Sequence, residues 1–170
     1  LPARDLISVI VFDSQAHTVV RLQQASNRQR ILSDIAQIRA SGGTNILPGL
    51  REAFEQLLPA KARKKHVIVL SDGQSPTEGL QDLVDEAAAA HITVSAVGVG
   101  EGADQTVLQM VATRGGGRFY QTTDPSTIPR IFTREAAQIG RTSAVEEPTS
   151  ARPSKKAEVI AGIAFDTAPE

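Results

Sequence analysis

The spacing of its apolar runs constrains this chain most. "LISVIVFDS" (6–14), "HVIVLSDG" (66–73) and "ITVSAVGVG" (92–100) are short, rich in β-branched residues, and end in turn chemistry. Each reads as a buried strand. Between them the apolar period changes from that of a strand to that of a helix. Ile31, Leu32, Ile35 and Ile38 share one helical face; so do Leu50, Ala53, Phe54, Leu57 and Leu58, and then Leu80, Leu83, Val84, Ala87 and Ala88. Strands alternating with amphipathic helices predict an α/β fold, a doubly wound, mostly parallel sheet with helices on both faces. "HTVVRLQ" (17–23) follows the first strand after so short a connection that the two must be antiparallel neighbours. "DQTVLQMVATRGGG" reads as a short helix with a glycine stop, "GRFYQTT" as an edge strand, and "STIPRIFTREAAQIG" as the last helix.

Local signals sharpen the element ends. Ser26 and Gln29 form a candidate capping box, and Pro48 is acceptable only in a first helical turn. Ser75 is placed as an N-cap, with Pro76 at the first helical position and Glu78 completing a box. After Arg141 the periodicity stops. Residues 1–141 are expected to form the domain and 142–158 a linker of proline, serine and mixed charge. The apolar "VIAGIAF" (159–165), within a tail over 159–170, looks like the start of a following domain. The chain opens Leu-Pro rather than with Met, and the expectation is a piece cut from a longer protein.

Composition excludes several function classes. Of the 170 residues, 41% are hydrophobic and 22% charged, enough for a real core. A net charge of -1 gives no global pull toward nucleic acid or an anionic membrane surface. The absence of cysteine removes disulfides and thiolate metal sites. No apolar run is long enough to span a bilayer, and none reads as a signal peptide.

Chain direction locates the polar loops. If the first strand runs upward, the Ile31–Ile38 helix ends at the top in "GGTN", the next helix descends, and "HVIVL" climbs back to "SDG". Thr44 and Asp72 then share the rim at the carboxyl ends of the parallel strands, where open α/β sheets bind ligands. A hydroxyl and a carboxylate suit a hard, oxygen-seeking cation such as Mg²⁺. The competing account is structural, with Thr44 capping a helix and Asp72 starting a turn.

"VIVFDS", "ASGGTNILPGL", "HVIVLSDG" and "ITVSAVGVG", in that order, resemble a von Willebrand factor type A (vWA) domain over about residues 1–141. In that family a metal-ion-dependent adhesion site binds Mg²⁺ through three loops, and an acidic side chain of a partner protein fills the open coordination position. The resemblance carries the threonine loop to Thr44 and the aspartate loop to Asp72. The third motif, Asp-x-Ser-x-Ser, is absent: after Asp13 come Gln15 and His17 where serines are required. "FDS" instead resembles the end of the family's second strand, so the domain is expected to lack the first strand and helix. That strand lies mid-sheet in the family. Its loss implies direct pairing of "LISVIV" with "HVIVL", a slot filled by another chain or by 159–165, or a poorly folding fragment. Self-association through the unpaired central strands is one consequence, and weak or absent Mg²⁺ binding by this fragment is another. The tail also resembles bacterial membrane-anchored proteins in which such a domain precedes a glutamine-amidotransferase-like one. The resemblance implies interaction rather than catalysis, with a protein partner presenting an acidic residue, no nucleic acid and no direct membrane contact.

A rival reading is a dinucleotide-binding enzyme domain. "GVGEGA" follows a strand, precedes a helix, and fits Gly98-x-Gly100-x-x-Ala103, with Asp124 spaced as a ribose-binding acid. "KARKKH" (61–66), without interleaved aromatics, reads as a solvated loop. His17, His66 and His91 are dispersed, and no Gly-x-Ser-x-Gly elbow pairs with any of them. Arg114 and Arg118 around the triple glycine read as surface residues, and Glu52 and Glu55 as charges that favour a helix start.

Overall fold

The structure, a computed structural model, describes residues 4–39, 43–71 and 74–142. Thr142, expected to open the linker, is instead the last residue of the final helix; the rest of the expected linker and the tail, 143–170, lie outside the described residues.

β1 (Leu6–Phe12) and β2 (Ala16–Gln24) form an antiparallel hairpin, with Phe12 opposite Ala16 and Leu6 opposite Gln24. α1 (Arg28–Ile35) and α2 (Ile46–Leu57) follow. β3 (Lys65–Ser71), α3 (Leu80–Ala89), β4 (Ile92–Val99), α4 (Gln105–Arg114) and β5 (Gly116–Thr122) then build a parallel sheet ordered β3-β4-β5. A 3-10 turn, Pro125–Thr127, leads into α5 (Ile128–Thr142). The alternation of strands and helices is the one expected.

The core lies on one face of the parallel sheet. Val69, Val94 and Ala96 point into it and meet Ile46, Leu50 and Phe54 of α2, Leu80 and Val84 of α3, and Leu108 and Val111 of α4. β4 is central, and its residues 94–98 are all buried. Side chains alternate across a strand, so Ser95 and Val97 face the other side. α5 covers that side, through contacts described below.

The expected single sheet is divided. Among the described residues β1 pairs only with β2, and β3 only with β4, so "LISVIV" and "HVIVL" do not pair directly. α2 spans the division, packing on β1, β2 and β3. It lies so close to β1 that a Cβ at Gly49 would come within 2.8 Å of Phe12 Cδ1. β3 reads as a strand covered on both faces, yet only Val69 is fully buried and Leu70 is 40% exposed. With a neighbour on one side alone, its apolar run is half satisfied.

Three local expectations are corrected. Asn27, not Ser26, caps α1, its side chain accepting from Arg30 N, because the helix begins one residue later than the box requires. α1 also ends at Ile35, leaving Leu32 65% exposed and Ile38 beyond the helix. Ser75 caps nothing in α3, which starts at Leu80 after Gly79 in the left-handed region (φ 72°). Its hydroxyl is engaged elsewhere.

Candidate functional site: the loop rim

Four loops meet beyond the carboxyl ends of β1, β3 and β4. Asn45 N–H donates to Asp13 C=O at 2.7 Å, fastening the start of α2 to the end of β1. Ile46 N–H donates to Ser75 Oγ at 2.9 Å, fastening the same helix end to the loop after β3. Gln74 Nε2 donates to Gly102 C=O at 3.2 Å, adding the loop after β4. The N-cap of α2 is Asn45, whose Oδ1 accepts from Leu47 N at 3.2 Å. Thr44 therefore does not cap the helix. It is half-buried, and its hydroxyl makes no hydrogen bond with a described residue. Asp72 lies outside the described residues; the strand before it ends at Ser71, opposite Gly98.

The chemistry available here is that of oxygen. Thr44 offers a hydroxyl, while Asn45 Oδ1 and Ser75 Oγ are committed to the first N–H groups of α2. Asp13 Oδ1 accepts from Gln15 N at 2.9 Å. The N-terminus of α2 brings partial positive charge to the rim, so a cation bound there needs carboxylates to offset it. Among the described residues no group of three or more His, Cys, Asp or Glu could hold a metal ion. Thr44 fits as one member of a hard-cation shell, but the described residues do not make a complete one.

The glycines of the rival motif are used differently. Gly100 has φ 90°, and its carbonyl accepts from Gln121 Nε2 at 2.7 Å. The start of α4, where a pyrophosphate would bind, is taken by Asp104, whose Oδ1 accepts from Thr106 N and Val107 N at 3.1 and 3.2 Å. Asp124 caps the 3-10 turn, and the side-chain and then the backbone hydrogen bond from Ser126 hold its carboxyl below the usual range.

A second polar cluster escaped sequence reasoning. Glu135 of α5 is fully buried on the second sheet face. Its Oε1 accepts from Ser95 Oγ at 2.5 Å and Arg118 Nη1 at 3.3 Å, and its Oε2 from Tyr120 OH at 2.6 Å. Burial pushes its pKa up, but the bonds from Ser95 and Tyr120 and the charges of His66 and Arg118 outweigh that, and the net shift is downward. His66 Nδ1 contacts Thr93 Oγ1 at 2.6 Å, and Nε2 lies 3.5 Å from Glu135 Oε1 without a hydrogen bond. Burial lowers the His66 pKa. Arg118 thus ties α5 to the sheet, and Arg114 pairs with Asp85 at 2.5 Å. One signal was in the sequence: Glu135 falls at helical spacing from Ile128, Ile131 and Phe132, a charge in an apolar stripe.

The sequence pattern of the von Willebrand factor type A domain matches residues 2–134. An uncharacterized protein of Synechocystis is 30% identical over 148 residues, which are 82% of this chain and 35% of that protein. The chain thus spans about a third of this relative. A structure of a von Willebrand factor type A protein from Catenulispora acidiphila superposes with TM-score 0.73 at 24% identity, over 81% of this chain and 34% of that one. Proximal thread matrix protein 1 from the mussel byssus, with a zinc-occupied MIDAS motif, superposes with TM-score 0.65 at 25% identity, over 76% of this chain and 34% of that one.

Proposed function

The chain belongs to the von Willebrand factor type A domain family, and on that premise we propose that it is a protein-interaction module rather than a catalyst. Thr44 and Asp72 are its contribution to a divalent-cation site, with Mg²⁺ the expected ion. The observation that supports this most is the corner itself. Two hydrogen bonds, Asn45 N–H to Asp13 C=O and Ile46 N–H to Ser75 Oγ, anchor it between the end of β1 and the loop after β3. They leave the Thr44 hydroxyl without a hydrogen bond to any described residue, next to the loop that holds Ser75. The zinc-occupied site of the byssus protein lends support from a relative of the same fold.

In this reading Thr44 supplies a neutral oxygen and Asp72 a carboxylate. The bound cation would present an open coordination position to an acidic side chain of a partner protein. The chain lacks the Asp-x-Ser-x-Ser loop, so we expect weak Mg²⁺ binding by these 170 residues. The larger parent, with the residues after Thr142 up to 158 as a linker and 159–170 opening a further, bacterial membrane-anchored arrangement, belongs to the same proposal. No helix among the described residues is long and apolar enough to cross a membrane.

Paramagnetic broadening by Mn²⁺, followed by amide NMR, tests the site. Broadening centred on Thr44, Asn45 and Ser71 at millimolar ion is the expected result; none there, or broadening centred elsewhere, overturns it. Calorimetry showing tight Mg²⁺ binding by this chain would refute the incomplete shell.

A further inference from the structure

The parallel sheet ends at β5, and among the described residues nothing pairs with its outer edge. Thr122 C=O accepts from Gly100 N, and Arg118 N–H donates to Ser95 Oγ, each at 2.9 Å. These residues turn their backbone groups toward β4. Backbone groups alternate along a strand, so in the regular part of β5 the N–H and C=O of Phe119 and Gln121 face the open side. Natural edges are commonly guarded by an outward charge, a proline or a bulge. β5 has no proline, and its one charge, Arg118, bonds back to Glu135. Its register against β4 shifts between Gly116 and Phe119, so the regular open edge is the second half of the strand, Phe119–Thr122.

A groove of about 470 Å³ runs between this strand and the first turns of α5, lined by Tyr120, Thr122, Thr127, Arg130, Ile131 and Arg134. Ile131 gives it an apolar wall. Arg130 and Arg134 are exposed, one turn apart, and form no ion pair with a described residue. Their spacing along the helix is roughly 6 Å. Alternate side chains of an extended strand repeat at roughly 6.6 Å.

We propose that the β5 edge and this groove bind an extended acidic segment of a partner protein, which adds to β5 as a further strand while carboxylates at alternate positions meet Arg130 and Arg134. Main-chain hydrogen bonds to Phe119 and Gln121 would give affinity, and the two arginines would select the charge. This surface needs no divalent cation, so its success or failure is separate from that of the rim.

The test uses the full 170-residue chain and a fluorescein-labelled acetyl-(Val-Glu)4 peptide, followed by anisotropy at low salt in EDTA. Saturable binding is expected, with no binding of the (Val-Lys)4 analogue. Arg130→Glu with Arg134→Glu, both exposed, should weaken binding about tenfold or more. Amide exchange supplies an independent readout, with Phe119 and Gln121 becoming protected on peptide addition. The proposal is overturned by a lack of saturation at millimolar peptide or by equal binding to the double variant. It is equally overturned by unchanged exchange at Phe119 and Gln121, or by equal binding of a single-stranded oligonucleotide of the same charge.

Discussion

Ser75 Oγ accepts the backbone N–H of Ile46 at 2.9 Å, so a residue after β3 satisfies the first exposed donor of α2. The bond joins positions 29 residues apart and holds the Thr44 corner against the loop that continues from β3. Ser75→Ala leaves that donor unpaired in a half-buried place. It should cost about 1 kcal/mol in urea unfolding and shift the amide resonances of Thr44 and Asn45. An unchanged midpoint would mean that solvent replaces the serine.

Thr44 and Asn45 should separate cleanly. Asn45→Ala removes the α2 cap and should cost about 1 kcal/mol. Thr44→Val removes a hydroxyl that bonds no described residue and should leave stability within about 0.5 kcal/mol. Only Thr44→Val should abolish Mn²⁺ broadening at the corner while the fold is unaltered.

Glu135→Ala strands Ser95 Oγ, Tyr120 OH and Arg118 together. Arg118 is half exposed and recovers water, so the expected loss is about 2–3 kcal/mol, measured by denaturant unfolding. Near-UV signal from Tyr120, the only tyrosine, should change with it. Glu135→Gln keeps the shape and an acceptor, and should lose less.

The same cluster sets an acid limb. His66 has its pKa lowered from 6.5 by burial, so the unfolded chain binds its proton first as pH falls, and stability drops below about pH 6.5. Glu135 is lowered from 4.5, so its contribution is present above that value and is lost as pH falls through the folded pKa. Unfolding free energy should therefore decline in two stages on acidification. His66→Phe should flatten the first stage, which sets in below about pH 6.5, and leave the second. A stability profile identical in the variant would remove His66 from the linkage.

Open edges on β1 and β3 predict association. Sedimentation should show concentration-dependent dimers, because two apolar strands each lack a neighbour on one side among the described residues. Deleting 159–170 should increase that association if the apolar tail competes for the slot, and leave it unchanged if it does not.

The elements were legible because their apolar periods are strong: the buried sets of α2 and α3 include Leu50, Phe54, Leu80, Leu83, Val84 and Ala87, all foreseen from spacing. Ser75, Ser26 and Leu32 were misread for one reason. A serine before a helix and a leucine at the right period are local facts, whereas what they touch depends on where α2 and the sheet come to rest. At the candidate site, Thr44 was recognisable by type and by position on the rim. The bonds from Asn45 and Ile46 that hold it there were not, since backbone donors carry no signature in the sequence.

By itself, then, the sequence determined the α/β alternation, the hairpin, the family and the oxygen character of the rim, because period and turn chemistry are local properties of the chain. Only the tertiary structure decided that the strands divide into two sheets bridged by α2. It also decided that Glu135 is buried against Ser95 and Tyr120, and that β5 offers its edge beside Arg130 and Arg134. These depend on which surfaces meet, and partners such as Ser95 and Glu135, 40 residues apart, are chosen by packing rather than by neighbourhood in the chain.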